Sequence, residues 1–381
     1  MSDQRRVAVL HQACEPPVVN GVRKPQKPGG YQDSGADIAY VLQSKNIKVV
    51  TPKREPSPSR DQGWTFPDTE DGVLEAIRKG ATTLWANTIL FADHPLQKST
   101  LLDKFSDAVK MVGQPPKLVE QYDDKNYVND LFRAEGSFTM PRCWVINSSQ
   151  PSQVDLSTLP FPVVAKPIRG RGSHGVKLCK TEAELSHHVS RLFEESPIVM
   201  VEEYLSGQEG TITVMPPSDE HPEYWSMPIV VRFNHEHGIA PYNGVVAVTA
   251  NSRLLSPEEL SCDSNYARIS EECERIARLL QVTAPIRVDV RRFKDSSESA
   301  FAAFDINMKP VGPSELLLRS LTAVKNMTGP GRPGRENQAS LTAIGAAGLE
   351  WDYPTLLTEI LSLAKPLSDL RKISIAEEEV K

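Results

Sequence analysis

The sequence predicts a mixed α/β (α+β) fold built from three successive units. Two observations support this prediction: short apolar runs alternate with amphipathic stretches along the chain, and two strand-like segments near residue 300 are separated by a short polar turn. Alternating strands and helices favour sheets covered by helices, and the polar turn favours a hairpin. We expect an N-terminal open α/β domain over residues 1–118, a small central unit over 119–208 and a C-terminal unit over 209–381.

The first unit has the strand and helix order of an open sheet. Apolar runs predict strands over residues 6–10 and 46–51, and helical spacing of apolar residues predicts a helix over 34–44. Residues 52–71 are rich in proline, serine and charge, which favours an exposed loop. A helix over 72–80 and a strand in 81–96 follow. That strand leads into a loop at the expected cleft, where Asn87 and His94 are candidate substrate contacts.

Composition narrows the class of protein. The formal net charge of -6 argues against nucleic acid as the main partner, because phosphate binding needs a basic face. No apolar run approaches the length needed to span a membrane, and the start of the chain is typical of a strand rather than a signal peptide. The five scattered cysteines form no CxxC pair, so we expect reduced thiols in a cytoplasmic protein. A homodimer is a candidate assembly that the sequence does not test.

A glycine-rich loop follows a strand that carries Lys166. The strands PVVAKPI and GVKLCK flank the sequence RGRGSHG, which includes Gly170, Gly172, Ser173 and Gly175. Glycines let a backbone approach a phosphate closely, and the amides can donate to it. The loop leads into a strand, so it is neither a Walker loop nor a Rossmann turn. A plain tight turn with exposed arginines is the alternative.

Two acidic groups suggest nucleotide and metal ligands. In VEEYLSGQE, Glu202 and Glu203 follow a buried strand and Glu209 lies six residues beyond Glu203. Backbone and carboxylate groups at a strand edge suit an adenine amino group and ribose hydroxyls. In the hairpin IRVDVRRF…SAFAAFDINM, alternation places Asp305 and Asn307 on one face, within reach of Asp289. Three oxygen ligands suit magnesium. Solvated acidic edges are the alternative for both groups.

The third unit contains a candidate catalytic arginine, further predicted strands and helix, and two histidines. Arg287 shares the face of Asp289, where a cation can stabilise charge on a tetrahedral intermediate. Residues 228–232 and 245–249 are predicted strands, and 258–280 is rich in helix. His235 and His237 have no evident third ligand, which favours a substrate-pocket or loop role over a transition-metal site.

Together, and in this order, these motifs resemble the ATP-grasp superfamily, and within it D-alanine–D-alanine ligase. The family pattern runs from an early lysine through a strand lysine and glycine-rich flap to E-x-x-L-x-G-x-E. It closes with R-x-D and an acidic-x-Asn-x-x-Pro strand. The matching positions here are Lys125, Lys166, Gly170–Gly175, Glu202–Glu209, Arg287, Asp289, Asp305 and Asn307.

The resemblance implies an ATP-grasp fold with an N-terminal substrate-side domain, a central domain and a C-terminal catalytic domain. It implies that Lys125 and Lys166 contact ATP phosphates under the flap, that Arg287 steadies the acyl phosphate, and that Lys166 also serves catalysis. The remaining implied ligands are Glu202 for the adenine amino group, Glu209 for ribose, and Asp289, Asp305 and Asn307 for Mg²⁺, with Mn²⁺ as an alternative. Glu203, Tyr204 and Leu205 are implied as further nucleotide contacts.

The implied reaction joins a carboxylate to an amine through an acyl phosphate, on an amino acid or related small carboxylate. Alternatives are a hydroxyl or thiol nucleophile, a phosphotransferase, or an ATP-binding protein without catalysis. The set of Arg287, Asp289, Asp305 and Asn307 argues against the last, because simple binding needs no such metal cage.

The sequence departs from the family at two places. The N-terminal glutamate that binds the first substrate in the family is missing, with Asp33 and Ser34 as candidate substitutes, and a family serine is replaced by Gly331. The substrates therefore need not be D-alanine. Residues 311–325 also interrupt the family pattern, either as a genuine loop or as a retained intron. Sequencing the transcript distinguishes these, since a message that keeps these codons and yields active enzyme excludes the intron.

Overall fold

The computed structural model describes residues 5–19, 21–23, 28–169, 174–240, 248–308, 331–335 and 339–374. Three of the predicted flap residues, Gly170, Gly172 and Ser173, lie outside these ranges. The segment 311–325 also lies outside them. Three larger sheets and one short ribbon organise the described residues.

The first sheet is the predicted open α/β sheet. Its first strand, β1 (Arg6–His11), pairs in parallel with each of its three neighbours. The strands of this part of the chain are β1 (Arg6–His11), β2 (Val18–Val19), β3 (Val22–Arg23), β4 (Lys48–Val49), β5 (Phe66–Pro67), β6 (Thr83–Asn87) and β7 (Lys110–Val112). The helices are α1 (Gln32–Ser44), α2 (Glu70–Arg78), α3 (Pro95–Lys98) and α4 (Pro116–Tyr122).

Part of the predicted exposed loop over residues 52–71 is instead buried. Its first half is largely exposed, but Trp64, Phe66 and Asp68 are all buried. Trp64 meets Tyr40 of α1 edge to face, with ring centroids 5.7 Å apart. The prediction of a wholly exposed loop was wrong because a few apolar side chains in a polar stretch can still be buried by distant elements.

The second sheet is four-stranded and antiparallel, in the order β10-β9-β11-β8. Its strands are β8 (Cys143–Asn147), β9 (Val163–Pro167), β10 (Lys177–Cys179) and β11 (Ile198–Glu203). Helices α5 (Lys125–Glu135) and α6 (Glu182–Leu192) accompany it. The predicted pair of strands around the glycine-rich loop is therefore confirmed, and Lys166 lies on β9.

The third sheet contains the predicted hairpin. Its strands are β12 (Glu209–Met215), β13 (Trp225–Ser226), β14 (Val230–Arg232), β15 (Ser252–Leu254), β16 (Ile286–Arg292) and β17 (Phe301–Asn307). The helix-rich region forms α7 (Pro257–Cys262) and α8 (Asn265–Leu279), and α8 buries one apolar face against the sheet. Most of the predicted strand over 245–249 lies outside the described ranges, and its last two residues belong instead to a 3₁₀ turn at Val248–Ala250.

The last described segment returns to the first sheet. It comprises α9 (Leu341–Ala347), α10 (Tyr353–Ser362), β18 (Lys365–Pro366) and α11 (Leu367–Lys372). Strand β18 pairs antiparallel with β7, and α10 packs against α1 in one apolar cluster. The domain boundaries at 118 and 208 remain predictions. Among the described residues no helix has both the length and the apolar character required to cross a bilayer.

Helix α7 offers a test of local stability. The Ser256 side chain accepts from the Glu259 amide, and the Glu259 carboxylate accepts from the Ser256 amide, forming a capping box. Replacing Ser256 with alanine should lower the free energy of unfolding by about 1 kcal/mol, because an amide at the helix start loses its acceptor. Urea denaturation measures this. Ser261→Ala, on the same exposed helix, is the control, and an equal loss in both variants would contradict the capping role.

Candidate active site

The hairpin β16–β17 brings the predicted metal ligands together. Arg287 faces Asn307 across the strands, and Asp289 faces Asp305. The Asn307 Nδ2 atom donates to Asp289 Oδ2 at 3.2 Å, which leaves the amide oxygen of Asn307 as the atom suited to a cation. Thr211 on β12 donates to Asp289 Oδ1 at 2.7 Å. The sequence prediction that these side chains share one face is confirmed.

A bulge in this hairpin was not predictable from alternation. The register shifts between Asp289 and Val290, so Asp289 pairs with Asp305 whereas Val290 pairs with Ala303. Phe304 is the extra residue, and its carbonyl accepts from Lys166 Nζ at 3.1 Å. A bulge leaves one residue unpaired in the ladder, and here that residue links the second and third sheets.

The electrostatics of the hairpin favour a cation. Burial raises the pKa of Asp289, and the like charge of Asp305 raises it further, while Arg287, Thr211 and Arg232 oppose the increase. Two carboxylates that face each other in a partly buried site repel unless a positive charge lies between them. Oxygen donors in this arrangement fit Mg²⁺, and Mn²⁺ would accept the same ligands.

Lys125 lies beside these carboxylates. It opens α5, and its Nζ atom lies 2.7 Å from Asp305 Oδ1 with about a quarter of its side chain exposed (24%). Burial lowers the pKa of Lys125, but the charge and hydrogen bond of Asp305 more than offset this, so the pKa is raised. The ammonium group stays charged and adjacent to the candidate metal ligands.

Lys166 and Glu202 form a buried ion pair on adjacent strands. Lys166 Nζ lies 2.6 Å from Glu202 Oε2, and each side chain is only 5% exposed. Asn129 on α5 donates to Glu202 Oε1 at 3.4 Å. The resemblance implies separate partners for these two residues, phosphate for Lys166 and adenine for Glu202. The structure instead places them side by side, and both roles remain predictions.

The base of the glycine-rich loop is tied to the helices that precede it. Arg169 contacts Asp123 and Asp124 at 3.6 and 3.5 Å, and donates to the Glu120 carbonyl at 3.2 Å. At the other end, Gly175 has φ of 71°, and a β-carbon there would lie 2.8 Å from Leu192. Arg169 is therefore held by acidic and carbonyl groups at the start of the loop. The alternative of a tight turn predicted exposed arginines, and Arg169 does not fit it.

The segment after β11 holds the other predicted nucleotide ligands. Glu203 pairs with Arg142 at 3.0 Å, Leu205 is buried, and Glu209 is 5% exposed at the start of β12. Gly207 lies so close to the backbone that a β-carbon would be 2.2 Å from the Lys294 carbonyl oxygen. That approach explains why the motif contains glycine at this position.

Asp33 and Ser34, the candidate substitutes for the missing glutamate, already contact other side chains of the protein. Asp33 lies 3.4 Å from Arg335 Nη2, while Ser34 accepts from Asn87 Nδ2 at 3.0 Å and is fully buried. Arg332 donates to Asp37 at 2.8 Å and to Asp61, and its side chain is 1% exposed. Arg332 and Arg335, close to Gly331, therefore form ion pairs with α1. No local sequence pattern predicted this long-range contact.

The predicted substrate contacts Asn87 and His94 are buried, with no exposed surface. His94 Nδ1 accepts from the Leu96 amide at 3.1 Å, so Nε2 carries the proton that it donates to Asp68 at 3.0 Å. His94 therefore caps α3, and the expectation that it contacts substrate was wrong. In the described part of the chain, Cys14, Asp68 and His94 have metal-like spacing, but both ring nitrogens of His94 are already engaged.

Cys14 offers a chemical test of this N-terminal cluster. Burial raises the pKa of the Cys14 thiol to about 12, and the nearby Asp68 carboxylate adds to the effect. Because the thiolate is the reactive form, iodoacetamide at pH 8.5 should alkylate Cys14 at least about tenfold more slowly than the exposed Cys262. Mass spectrometry of timed samples measures both rates. Equal rates would show that Cys14 is not half-buried beside Asp68 in solution.

Comparisons with known proteins agree with this geometry. A family model described as D-ala D-ala ligase C-terminus matches residues 138–311. A D-alanine–D-alanine ligase of Aquifex aeolicus (strain VF5) is 24% identical over 201 residues, which cover 52% of this chain and 62% of that relative. The alignment thus spans less than two thirds of the relative's length.

Solved structures resemble nearly the whole chain. A D-alanine–D-alanine ligase from Bacillus anthracis in complex with ATP has a TM-score of 0.59 at 17% identity, covering 97% of this chain and 99% of that one. The VanG D-Ala:D-Ser ligase from Enterococcus faecalis has a TM-score of 0.58 at 14% identity, covering 95% and 99%.

Three sheets in this order, with a lysine-bearing strand facing an acidic hairpin, form an ATP-grasp fold like that of these solved ligases. Within that fold class the chain is similar in sequence to D-alanine–D-alanine ligases, and the match to the family model lies in residues 138–311. The match ends at residue 311, where the sequence departs from the family pattern.

Proposed function

We propose that this protein is an ATP-dependent carboxylate–amine ligase. The observation that carries the proposal is the pairing of Arg287 with Asn307 and of Asp289 with Asp305, with Lys125 2.7 Å from Asp305. Oxygen ligands, a lysine and an arginine on adjoining elements suit the transfer of a phosphoryl group to a carboxylate. Catalysis of this kind depends mainly on positioning and on neutralising charge.

In the proposed reaction a substrate carboxylate oxygen attacks the γ-phosphorus of ATP, and ADP leaves. An amine then attacks the acyl carbon, losing a proton, and phosphate leaves with formation of an amide. Lys125 and Lys166 would bind phosphate oxygens, and Arg287 would stabilise the tetrahedral intermediate. Asp289, Asp305 and Asn307 would hold Mg²⁺, which would neutralise phosphate charge when bound.

The nucleotide would lie between the second and third sheets. Glu202 would accept from the adenine amino group, and Glu209 would accept from the ribose hydroxyls. Glu203, Tyr204 and Leu205 would be further nucleotide contacts. The glycine-rich loop, including Gly170, Gly172, Ser173 and Gly175, would cover the phosphates. These assignments are supported by the resemblance and by the positions of Lys166, Glu202 and Glu209 in the fold.

The substrates are an amino acid or related small carboxylate and an amine. Asp33 is paired with Arg335 and Ser34 is buried, which supports a first substrate bound differently from that of the family. The resemblance to D-alanine–D-alanine ligases therefore does not assign D-alanine as the substrate of this chain. A cytoplasmic location and a homodimer remain predictions.

A panel of amino acids and small carboxylates, assayed in pairs for ADP release with Mg²⁺, tests the proposal. A ligase releases ADP and phosphate only when both substrates are present. With carboxylate labelled in oxygen-18, one labelled atom should appear in the released phosphate, because the acyl phosphate passes that oxygen on. ADP release with one substrate and a stable phosphorylated product would instead show a phosphotransferase, and no release with any pair would count against catalysis.

A further inference from the structure

Glu209 lies between two arginine-bearing strands. On β12 it is paired in register with Arg232 of β14 and with Arg291 of β16. Its Oε2 atom accepts from His235 Nε2 at 2.8 Å and lies 3.5 Å from Arg291 Nη1. Both contacts are made to Oε2, so within the described ranges of the chain Oε1 keeps its capacity to accept hydrogen bonds.

Arg291 connects Glu209 to two loops. Its Nε atom donates to the Gly207 carbonyl at 3.0 Å, and Nη1 donates to the Gly238 carbonyl at 2.8 Å. Nη2 donates to the Tyr204 hydroxyl at 3.1 Å, and the guanidinium lies 5.0 Å from the centre of that ring. One buried side chain thus holds the segment after β11, the segment after β14 and the Glu209 carboxylate in one arrangement.

Arg291 makes more contacts than are needed to neutralise one buried charge. A guanidinium presents its donors in a fixed planar fork, so it fixes the orientation of the groups that it contacts. A carboxylate held by one oxygen presents the other in a defined direction. Hydroxyl groups that donate to such a carboxylate are bound more strongly than by a mobile side chain, because less conformational freedom is lost on binding.

We propose that Arg291 and His235 are positioning residues that orient Glu209 toward the ribose hydroxyls of the nucleotide. They thereby set a preference for ribonucleotide over deoxyribonucleotide. This inference rests on the proposed function, which places ATP ribose at Glu209. Neither residue belongs to the motifs that carry the family resemblance.

Binding of ATP and of 2′-deoxy-ATP, each with Mg²⁺, is measured by calorimetry on the full chain. The wild-type protein should prefer ATP by about tenfold, as expected for a hydrogen bond to a charged group. Glu209→Gln and Arg291→Met should reduce the preference to nearly one, and His235→Asn should reduce it in part. Arg291→Lys, which keeps the charge but lacks the fork, should also lose most of the preference.

Arg292→Met is the matched control. Arg292 follows Arg291 on β16 with a 4% exposed side chain, but it contacts Asp263 and the carbonyls of Ser297 and Ser299. Its replacement should leave the preference unchanged even where stability falls. If Arg291→Met fails to fold, the lysine and His235 variants decide the question.

The possible outcomes separate two failures. Folded Arg291 and His235 variants that keep the wild-type preference would overturn the positioning role, as would a wild-type protein that binds both nucleotides equally. A wild-type protein that binds neither nucleotide would refute the proposed function itself, and this inference with it.

Discussion

Replacing Asp305 with asparagine should reduce turnover about a thousandfold or more, while the protein stays folded. The Asp305 carboxylate faces Asp289 and lies 2.7 Å from Lys125 Nζ. The asparagine has nearly the same shape but no charge, so it would weaken the binding of a cation and of the phosphates that the cation neutralises. Losses of this size are usual when a charge-stabilising group is removed from an active site. Steady-state ADP release with the preferred substrate pair measures the effect.

The turn of the same hairpin supplies a matched control. Asp295 is exposed in the segment between β16 and β17. Asp295→Asn removes the same charge from the same hairpin and should leave turnover within about twofold, because exposed charges interact weakly through solvent. Near-normal turnover of Asp305→Asn, with the control also normal, would show that the metal assignment is wrong.

Replacing Lys166 with methionine should lower the free energy of unfolding by about 3 kcal/mol and weaken ATP binding. The substitution leaves Glu202 buried without the ammonium group that lies 2.6 Å away. Removing one member of a buried ion pair typically costs that much, because an uncompensated charge remains in a medium of low polarity. Urea denaturation without nucleotide measures the stability, and calorimetry with ATP measures the binding.

A double variant separates stability from function. In Lys166→Met with Glu202→Gln no buried charge is left unpaired, so most of the lost stability should return while ATP binding stays weak. Arg278→Met is the surface control, since Arg278 pairs with Glu223 where both side chains are more than half exposed, and its loss should cost less than about 1 kcal/mol. A Lys166→Met variant that is as stable as the wild type would contradict the predicted cost of leaving the Glu202 charge unpaired.

Much of the fold followed from local patterns. Strands β1 and β9, helix α1 and the β16–β17 hairpin occupy the predicted positions, because apolar periodicity and turn composition are local properties. The convergence of Asp289, Asp305 and Asn307 was predictable for the same reason. Alternation fixes which residues of a strand share a face, and the short polar turn limits how the two strands can pair.

What the sequence by itself determined is therefore the ATP-grasp pattern and the acidic face of its hairpin. The tertiary structure alone decided the contacts between distant segments: Lys166 with Glu202, Arg291 with Glu209, and Arg332 with Asp37. It also decided that His94 caps a helix and that Trp64 and Asp68 are buried. The physical reason is that a polar side chain has the same local pattern whether it meets water, a ligand or a buried partner. Only the packing of elements far apart in the chain selects among these.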